Sequence, residues 1–293
     1  MKLSDFDAIR YNEKMRAHTT FRAGGAADMF FEPASAEELA RVLTAARAEN
    51  VPVTVIGNGS NLLVRDGGIR GIVVRLGKKF SKVEVNGTTV TAEGGALMSA
   101  VAAAALAADL GGFEFASGIP GTIGGGLYMN AGAYGGELAD VVTAAEYYDG
   151  EKIVYIEKKD MKLGYRHSIF EENGGIITKV WLELEKDSRE NILAKMEDFK
   201  RRRVEKQPIE LASAGSTFKR PEGHFAGALI EQAGLKGTKI GGAEVSEKHA
   251  GFIVNRGGAT AADILTLIEY VQKKVLETSG VMLEPEVRII GED

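Results

Sequence analysis

The spacing of apolar positions divides the chain into segments with different periods. Ser35 followed by Glu38 has the form of a capping box, in which each side chain satisfies a backbone N–H at a helix start. Leu39, Val42, Leu43 and Ala46 then recur on one helical face. The β-branched run at residues 51–56 predicts a buried strand, and residues 62–64 and 71–76 read as further strands around the turn Asp66-Gly67-Gly68. Residues 82–92 alternate apolar with polar about Asn86-Gly87, a hairpin signal. An alanine-rich helix is predicted over 98–109, ending at Gly111-Gly112, and residues 118–136 are the most glycine-dense stretch.

Strand-like runs at 144–148, 152–156 and 175–184 complete a mixed middle region, and a charged helix over 189–205 leads to Pro208. Beyond it, strands are expected around 216–218 and 250–254. A last helix carries the stripe Ile264, Leu267, Ile268, Val271 and Val275. No repeat or low-complexity tract interrupts this pattern.

Composition narrows the chemistry. A chain of 293 residues with 44% apolar and 26% charged residues has room for two or three globular modules. The net charge of −5, with both signs interspersed, offers no broad surface for nucleic acid. Arg201-Arg202-Arg203, the only concentrated basic run, falls inside the charged helix and reads as a solvated face.

The absence of cysteine removes disulfides, iron–sulfur clusters, thiol nucleophiles and cysteine-ligated zinc. The four histidines are scattered, so no metal site is expected. The longest apolar stretch, residues 100–108, is far short of the ~20 residues that span a bilayer, and the first residues have no signal core. A cytoplasmic protein without membrane insertion is expected. Redox chemistry, if present, must be carried by a bound organic cofactor.

Gly57-x-Gly59 after a strand invites a dinucleotide-binding reading, but Leu62 stands where the third glycine belongs, and a strand follows in place of a helix. Glycine loops still allow consecutive N–H groups to converge on an anion. Residues 57–61, 118–126 and 130–136 together suggest a cradle for a large phosphorylated ligand; tight turns and close packing are the alternative.

Taken in order, the strings resemble the UDP-N-acetylenolpyruvoylglucosamine reductase (MurB) family of peptidoglycan synthesis. They are His18-Thr19-Thr20-Phe21-Arg22, Gly57-Asn58-Gly59-Ser60-Asn61, Ser117-Gly118-Ile119-Pro120-Gly121-Thr122-Ile123-Gly124-Gly125 and Met129-Asn130-Ala131-Gly132-Ala133-Tyr134-Gly135. Gly164-Tyr165-Arg166-His167-Ser168, Ala214-Gly215-Ser216-Thr217-Phe218-Lys219-Arg220, His249-Ala250-Gly251-Phe252 and Leu283-Glu284-Pro285-Glu286-Val287-Arg288 continue the series across nearly the whole chain.

The resemblance implies an α+β fold: an FAD-binding fold of the vanillyl-alcohol-oxidase type with two α+β subdomains, plus a C-terminal α+β substrate domain. The expected division is 1–80 with 281–293 returning to it, then 81–206, then 207–280. It further implies non-covalent FAD and, as reductant, NADPH. The expected cofactor-side residues are Gly57, Asn58, Gly59, Ser60, Asn61, Gly118, Ile119, Pro120, Gly121, Thr122, Gly124, Gly125, Asn130, Gly132 and Ala133.

The implied reaction passes hydride from NADPH, by way of the flavin, to the vinyl carbon of the enolpyruvyl ether on a UDP-sugar. The product is UDP-N-acetylmuramate. Arg166 and Glu286 are the expected partners of the substrate carboxylate, and Ser216 the proton donor. Tyr165, Lys206, Lys219, Arg220 and His249 are expected on the substrate side. Arg220 stands where many relatives have Asn, and the longer form's tyrosine-bearing insertion is missing. The alternatives are an FAD-dependent oxidase of a small hydroxy compound and a non-catalytic flavin or nucleotide-sugar module. Oligomeric state is open, with a monomer as the default.

Overall fold

Eight helices organise the computed structural model, which describes residues 2–293. They are α1 (Ala36–Ala48), α2 (Met98–Ala107), α3 (Ile123–Tyr128), α4 (Leu138–Val141), α5 (Ile169–Asn173), α6 (Arg189–Lys206), α7 (Ala226–Gln232) and α8 (Ala261–Ser279). Helix α1 starts where the pattern predicts, with Ser35 Oγ accepting from Glu38 N–H at 3.2 Å. The reciprocal bond differs from the capping-box expectation: the Glu38 carboxylate accepts from Ala34 N–H at 2.6 Å, one residue earlier. A long glutamate side chain satisfies either donor, and here it ties down the entering chain.

The described residues form two compact units. The first comprises the residues through Arg10, Phe30–Asn58 and Ile72–Arg202. Its main sheet has five strands in the order Ile153–Glu157, Val142–Tyr148, Ile176–Glu183, Thr89–Glu93 and Val83–Asn86, all antiparallel. The hairpin at Asn86-Gly87 closes with Asn86 opposite Thr89. Val90, Ala92, Val180 and Leu182 from the sheet join Val101 of α2, Ile123 and Leu127 of α3 and Phe170 of α5 in one core. In the same unit Val53–Ile56 pairs in parallel with residues 72–75, Val53 opposite Ile72.

The second unit gathers three distant stretches, Tyr11–Met29, Gly59–Gly71 and Arg203–Asp293. Lys239–Ile240, Ala243–Val245 and Ile253–Asn255 make a small antiparallel sheet. The stripe Ile264, Leu267, Ile268, Val271 and Val275 of α8 packs in a core with Leu229 and Ile230 of α7, Phe21, Leu63, Leu283 and Val287. Thr260 caps α8 in a complete capping box with Asp263, and Gly280 ends it in the left-handed region. The chain end returns within this unit, where Arg288–Ile290 pairs in parallel with Leu62–Val64.

Several elements depart from the pattern-based expectation. Residues 216–218 form no strand, only a single bridge from Phe218 to Pro285. The expected strand over 250–254 is confined to Ile253–Asn255. Helix α3 lies inside the glycine-dense stretch, where glycine's low propensity argued for loop; burial of Ile123 and Leu127 overrides it.

Candidate active site

The two halves of the glycine cradle in the first unit fit because one of them lacks a side chain. A Cβ on Gly57 would lie 2.4 Å from Thr122 Oγ1, so only glycine permits the approach. Asn58 Nδ2 donates to Pro120 O at 2.7 Å and locks the loops together. Thr122 caps α3, its Oγ1 accepting from Gly125 N–H at 3.2 Å. Ile123 and Gly124 donate their N–H groups to Ala96 O (2.7 Å) and Gly94 O (3.0 Å). Those donors are spent within the protein. The N–H groups of Gly121 and Thr122, in two buried residues, meet no acceptor among the described residues.

Asn130 is buried and uses both ends of its carboxamide internally. Nδ2 donates to Gly164 O at 3.1 Å, and Oδ1 accepts from Ala139 N–H at 2.9 Å, in the first turn of α4. The Gly164 it holds begins the turn that presents Tyr165 and Arg166. Gly164 and His167 exchange backbone hydrogen bonds of 3.1 and 3.2 Å across that turn. Arg166 sits at its centre with φ +54°, a left-handed conformation that costs a non-glycine residue on the order of 1–3 kcal/mol. Its guanidinium carbon lies 5.3 Å from the exposed Tyr165 ring centroid. Ser168, fully buried, closes the far side, its Oγ donating to Tyr128 O at 2.5 Å.

In the second unit the segments that carry Ser216 and Glu286, far apart in sequence, are joined through their backbones. Glu286 N–H donates to Thr217 O at 2.8 Å, Lys219 N–H to Glu284 O at 2.8 Å, and Phe218 bridges Pro285. Lys219 also forms an ion pair with Glu284 through its side chain. Asn61 Nδ2 donates to Glu286 O at 3.0 Å, which brings the cofactor-side loop to the glutamate. Buried Thr217 anchors the assembly: its N–H donates to Gly251 O (2.9 Å), and its Oγ1 accepts from Ile253 N–H (3.0 Å).

His249 stands at the edge of this cluster, its Nδ1 accepting from Gly251 N–H at 3.1 Å. Burial pushes its pKa below the ordinary 6.5, helped by Lys236 and opposed by its own backbone hydrogen bond and Glu231. The ring is therefore neutral near pH 7, with its proton on Nε2.

Gly59 joins the same unit through another close approach. At φ +63°, its Cβ would lie 2.0 Å from His18 O. Lys206 and Arg220 are exposed; Lys206 ends α6, and Arg220 lies over the Phe225 ring at 4.0 Å. The structure brings neither into the Ser216–Glu286 cluster by any described hydrogen bond. Among the described residues no group of three or more His, Asp or Glu side chains is placed to hold a metal, and no helix is long and apolar enough to cross a membrane.

The pattern did not single out Ser168, Thr217 or Thr20. Ser168 and Thr217 act on backbone groups that are remote in sequence, which no local spacing signals. Thr20 donates its N–H to Gly59 O at 3.2 Å, while its buried Oγ1 has no partner among the described residues.

Comparison with known proteins places this arrangement. An FAD binding domain family matches residues 27–152. The chain is a flavin-dependent oxidoreductase of α+β fold. The C-terminal domain family of UDP-N-acetylenolpyruvoylglucosamine reductase matches residues 207–290. The UDP-N-acetylenolpyruvoylglucosamine reductase of Caldanaerobacter subterraneus subsp. tengcongensis is 52% identical over 96% of this chain and 93% of its own length. That of Clostridioides difficile is 50% identical over 97% and 94%. The crystal structure of the MurB reductase from Thermus caldophilus superposes with a TM-score of 0.83 at 36% identity, covering 96% of this chain and 99% of that one. This chain belongs to the UDP-N-acetylenolpyruvoylglucosamine reductase family.

The residues present fit the cofactor that this membership brings. In the first unit the unused N–H groups of Gly121 and Thr122 belong to buried residues and suit a bound anion; in the second, the unpartnered Thr20 hydroxyl is a buried polar atom that a ligand would satisfy. The side chain missing at Gly57 lets two loops close to the contact a phosphate cradle needs.

Proposed function

We infer that this chain catalyses the NADPH-dependent, FAD-mediated reduction of UDP-N-acetylglucosamine enolpyruvate to UDP-N-acetylmuramate in peptidoglycan synthesis. The FAD, when bound, carries hydride from NADPH to the vinyl carbon of the substrate. The residues of this chain do the rest. As hydride arrives, negative charge develops on the enolpyruvyl carboxylate. Arg166, always charged and able to bind a carboxylate bidentately, and Glu286 are assigned to that group. Ser216 is assigned to protonate the other alkene carbon. Its exposure allows water to return the proton.

The observation that supports this reading best is the backbone bond from Glu286 to Thr217, which sets Ser216 beside Glu286 although the sequence separates them widely. Gly57, Asn58, Gly59, Ser60, Asn61, Gly118, Ile119, Pro120, Gly121, Thr122, Gly124, Gly125, Gly132 and Ala133 are assigned to the cofactor; Asn130, expected with them, has its carboxamide committed inside the protein and is assigned to shaping the segment that leads to Gly132. Tyr165, Lys206, Lys219, Arg220 and a neutral His249 are assigned to the nucleotide-sugar. Residues 1–80 with 281–293, and 81–206, would form the cofactor subdomains, and 207–280 the substrate domain. The enzyme would work as a cytoplasmic monomer.

Rapid mixing tests the assignment. Ser216→Ala should bleach normally with NADPH but be reoxidised by the enolpyruvyl sugar about 10²-fold more slowly or worse. Equal slowing of both half-reactions would remove Ser216 from its role. Flavin bleached by a small hydroxy compound and reoxidised by dioxygen, with no response to the enolpyruvyl sugar, would favour an oxidase.

A further inference from the structure

We propose that Asn130 and Ser168 are positioning residues for Arg166, and that they tie the segment feeding the cofactor loop to the turn carrying the substrate-binding cation. The proposal rests on the assignment of Arg166 to the substrate carboxylate. Three features of the first unit carry it.

Arg166 is held in the left-handed region without glycine's freedom, so its backbone keeps that shape only if its surroundings impose it. Two side-chain tethers bracket the turn, one on each side. Asn130 Nδ2 binds Gly164 O just before it, and Ser168 Oγ binds Tyr128 O just after it. Both tethers end on the same short stretch, residues 128–130, which leads directly into Gly132 and Ala133.

The chemistry of each tether points to the turn. Ser168 occupies the N-cap of α5, where a serine hydroxyl ordinarily accepts from its own helix; here no side-chain cap bond forms, and the hydroxyl donates to Tyr128 O. Asn130 satisfies an N–H of α4 with one end of its carboxamide and the Gly164 carbonyl with the other. Gly164 O thus accepts from both Asn130 Nδ2 and His167 N–H, and the carbonyl that closes the turn is fixed from outside it. Neither side chain is exposed enough to meet substrate, since both are essentially buried. Their effect on chemistry must pass through the turn. With either tether lost, Arg166 can relax toward negative φ, which redirects its side chain.

Two variants separate this role from plain scaffolding. Asn130→Asp keeps the acceptor for Ala139 N–H and sets a carboxylate oxygen against Gly164 O. Ser168→Ala deletes the other tether alone, and Ser168→Thr, which keeps the hydroxyl, should restore function.

Each variant with bound FAD should bleach with NADPH within about twofold of the parent rate, while reoxidation by UDP-N-acetylglucosamine enolpyruvate slows about 10-fold to 100-fold, the scale of a misplaced reacting group. Amide exchange should quicken over residues 164–168. In an Arg166→Ala background the same substitutions should cost nothing further, because the group they position is gone.

Additive losses in that cycle, loss of bound FAD from both variants, or unchanged exchange at the turn would overturn the positioning role alone. Normal reoxidation of Arg166→Ala itself would overturn the assignment of Arg166 and the proposal together.

Discussion

The two places where this chain gathers its candidate catalytic groups are built by opposite means. Around Arg166 the backbone is strained, and buried side chains, Asn130 and Ser168, hold it. Around Ser216 and Glu286 two extended segments bind each other mainly through main-chain groups, from Glu286 to Thr217 and from Lys219 to Glu284. The first arrangement is vulnerable to substitution at residues far from the chemistry. The second depends on few side chains, because every residue carries the N–H and C=O it needs. Thr217 is the exception, with both its backbone and its hydroxyl committed.

That contrast can be broken at its weakest point. Thr217→Val preserves shape but leaves Ile253 N–H without its acceptor in a buried place, an expected loss of about 1–3 kcal/mol by urea unfolding. A negligible change would mean that the second site does not rest on this hydroxyl.

A smaller effect, dependent on pH, is expected at His249. Its folded pKa lies below 6.5, so the folded state binds fewer protons than the unfolded chain as pH falls. The stability this contributes is present above pH 6.5 and is lost as pH drops through the lowered folded value. His249→Gln should flatten that acid-side loss when unfolding midpoints at neutral and mildly acidic pH are compared. An unchanged slope would locate the titration elsewhere.

Smallest of all should be the stability change in Lys219→Met, which breaks an exposed ion pair and should stay within about 0.5 kcal/mol. If Lys219 contacts the nucleotide-sugar, KM for that substrate should rise while unfolding is unmoved. An unchanged KM would confine the lysine to its pairing with Glu284.

Legibility followed the range of the interactions. The α8 stripe, the Ser35 cap and the Asn86-Gly87 hairpin are local patterns, and each element formed where its pattern stands. Helix α7 begins Ala-Gly-Ala and the strand Ala26–Phe31 lacks clean alternation, so burial in the folded molecule identifies them, while the largely exposed strand Arg10–Lys14 is identified only by its pairing in a sheet. The ordered strings were enough to indicate the family and its flavin. What Asn130 does was hidden, since its partners at Gly164 and Ala139 are joined only by the fold. The same holds for Thr20, whose hydroxyl is notable only once burial leaves it without a partner.

The parallel pairing of Arg288–Ile290 with Leu62–Val64 also bears on how the chain is made. The Asn61–Glu286 bond spans 225 positions, and the second unit is completed only once residues 283–290 have been made. Until then Phe21 and Leu63, emerging early, lack most of the core they will join. Closing contacts of such high sequence separation is slow. Nascent chains stalled before Glu286 should therefore be targets for proteases and chaperones at residues 11–29 and 59–71, while the first unit's five-stranded sheet, complete by Glu183, can already resist them.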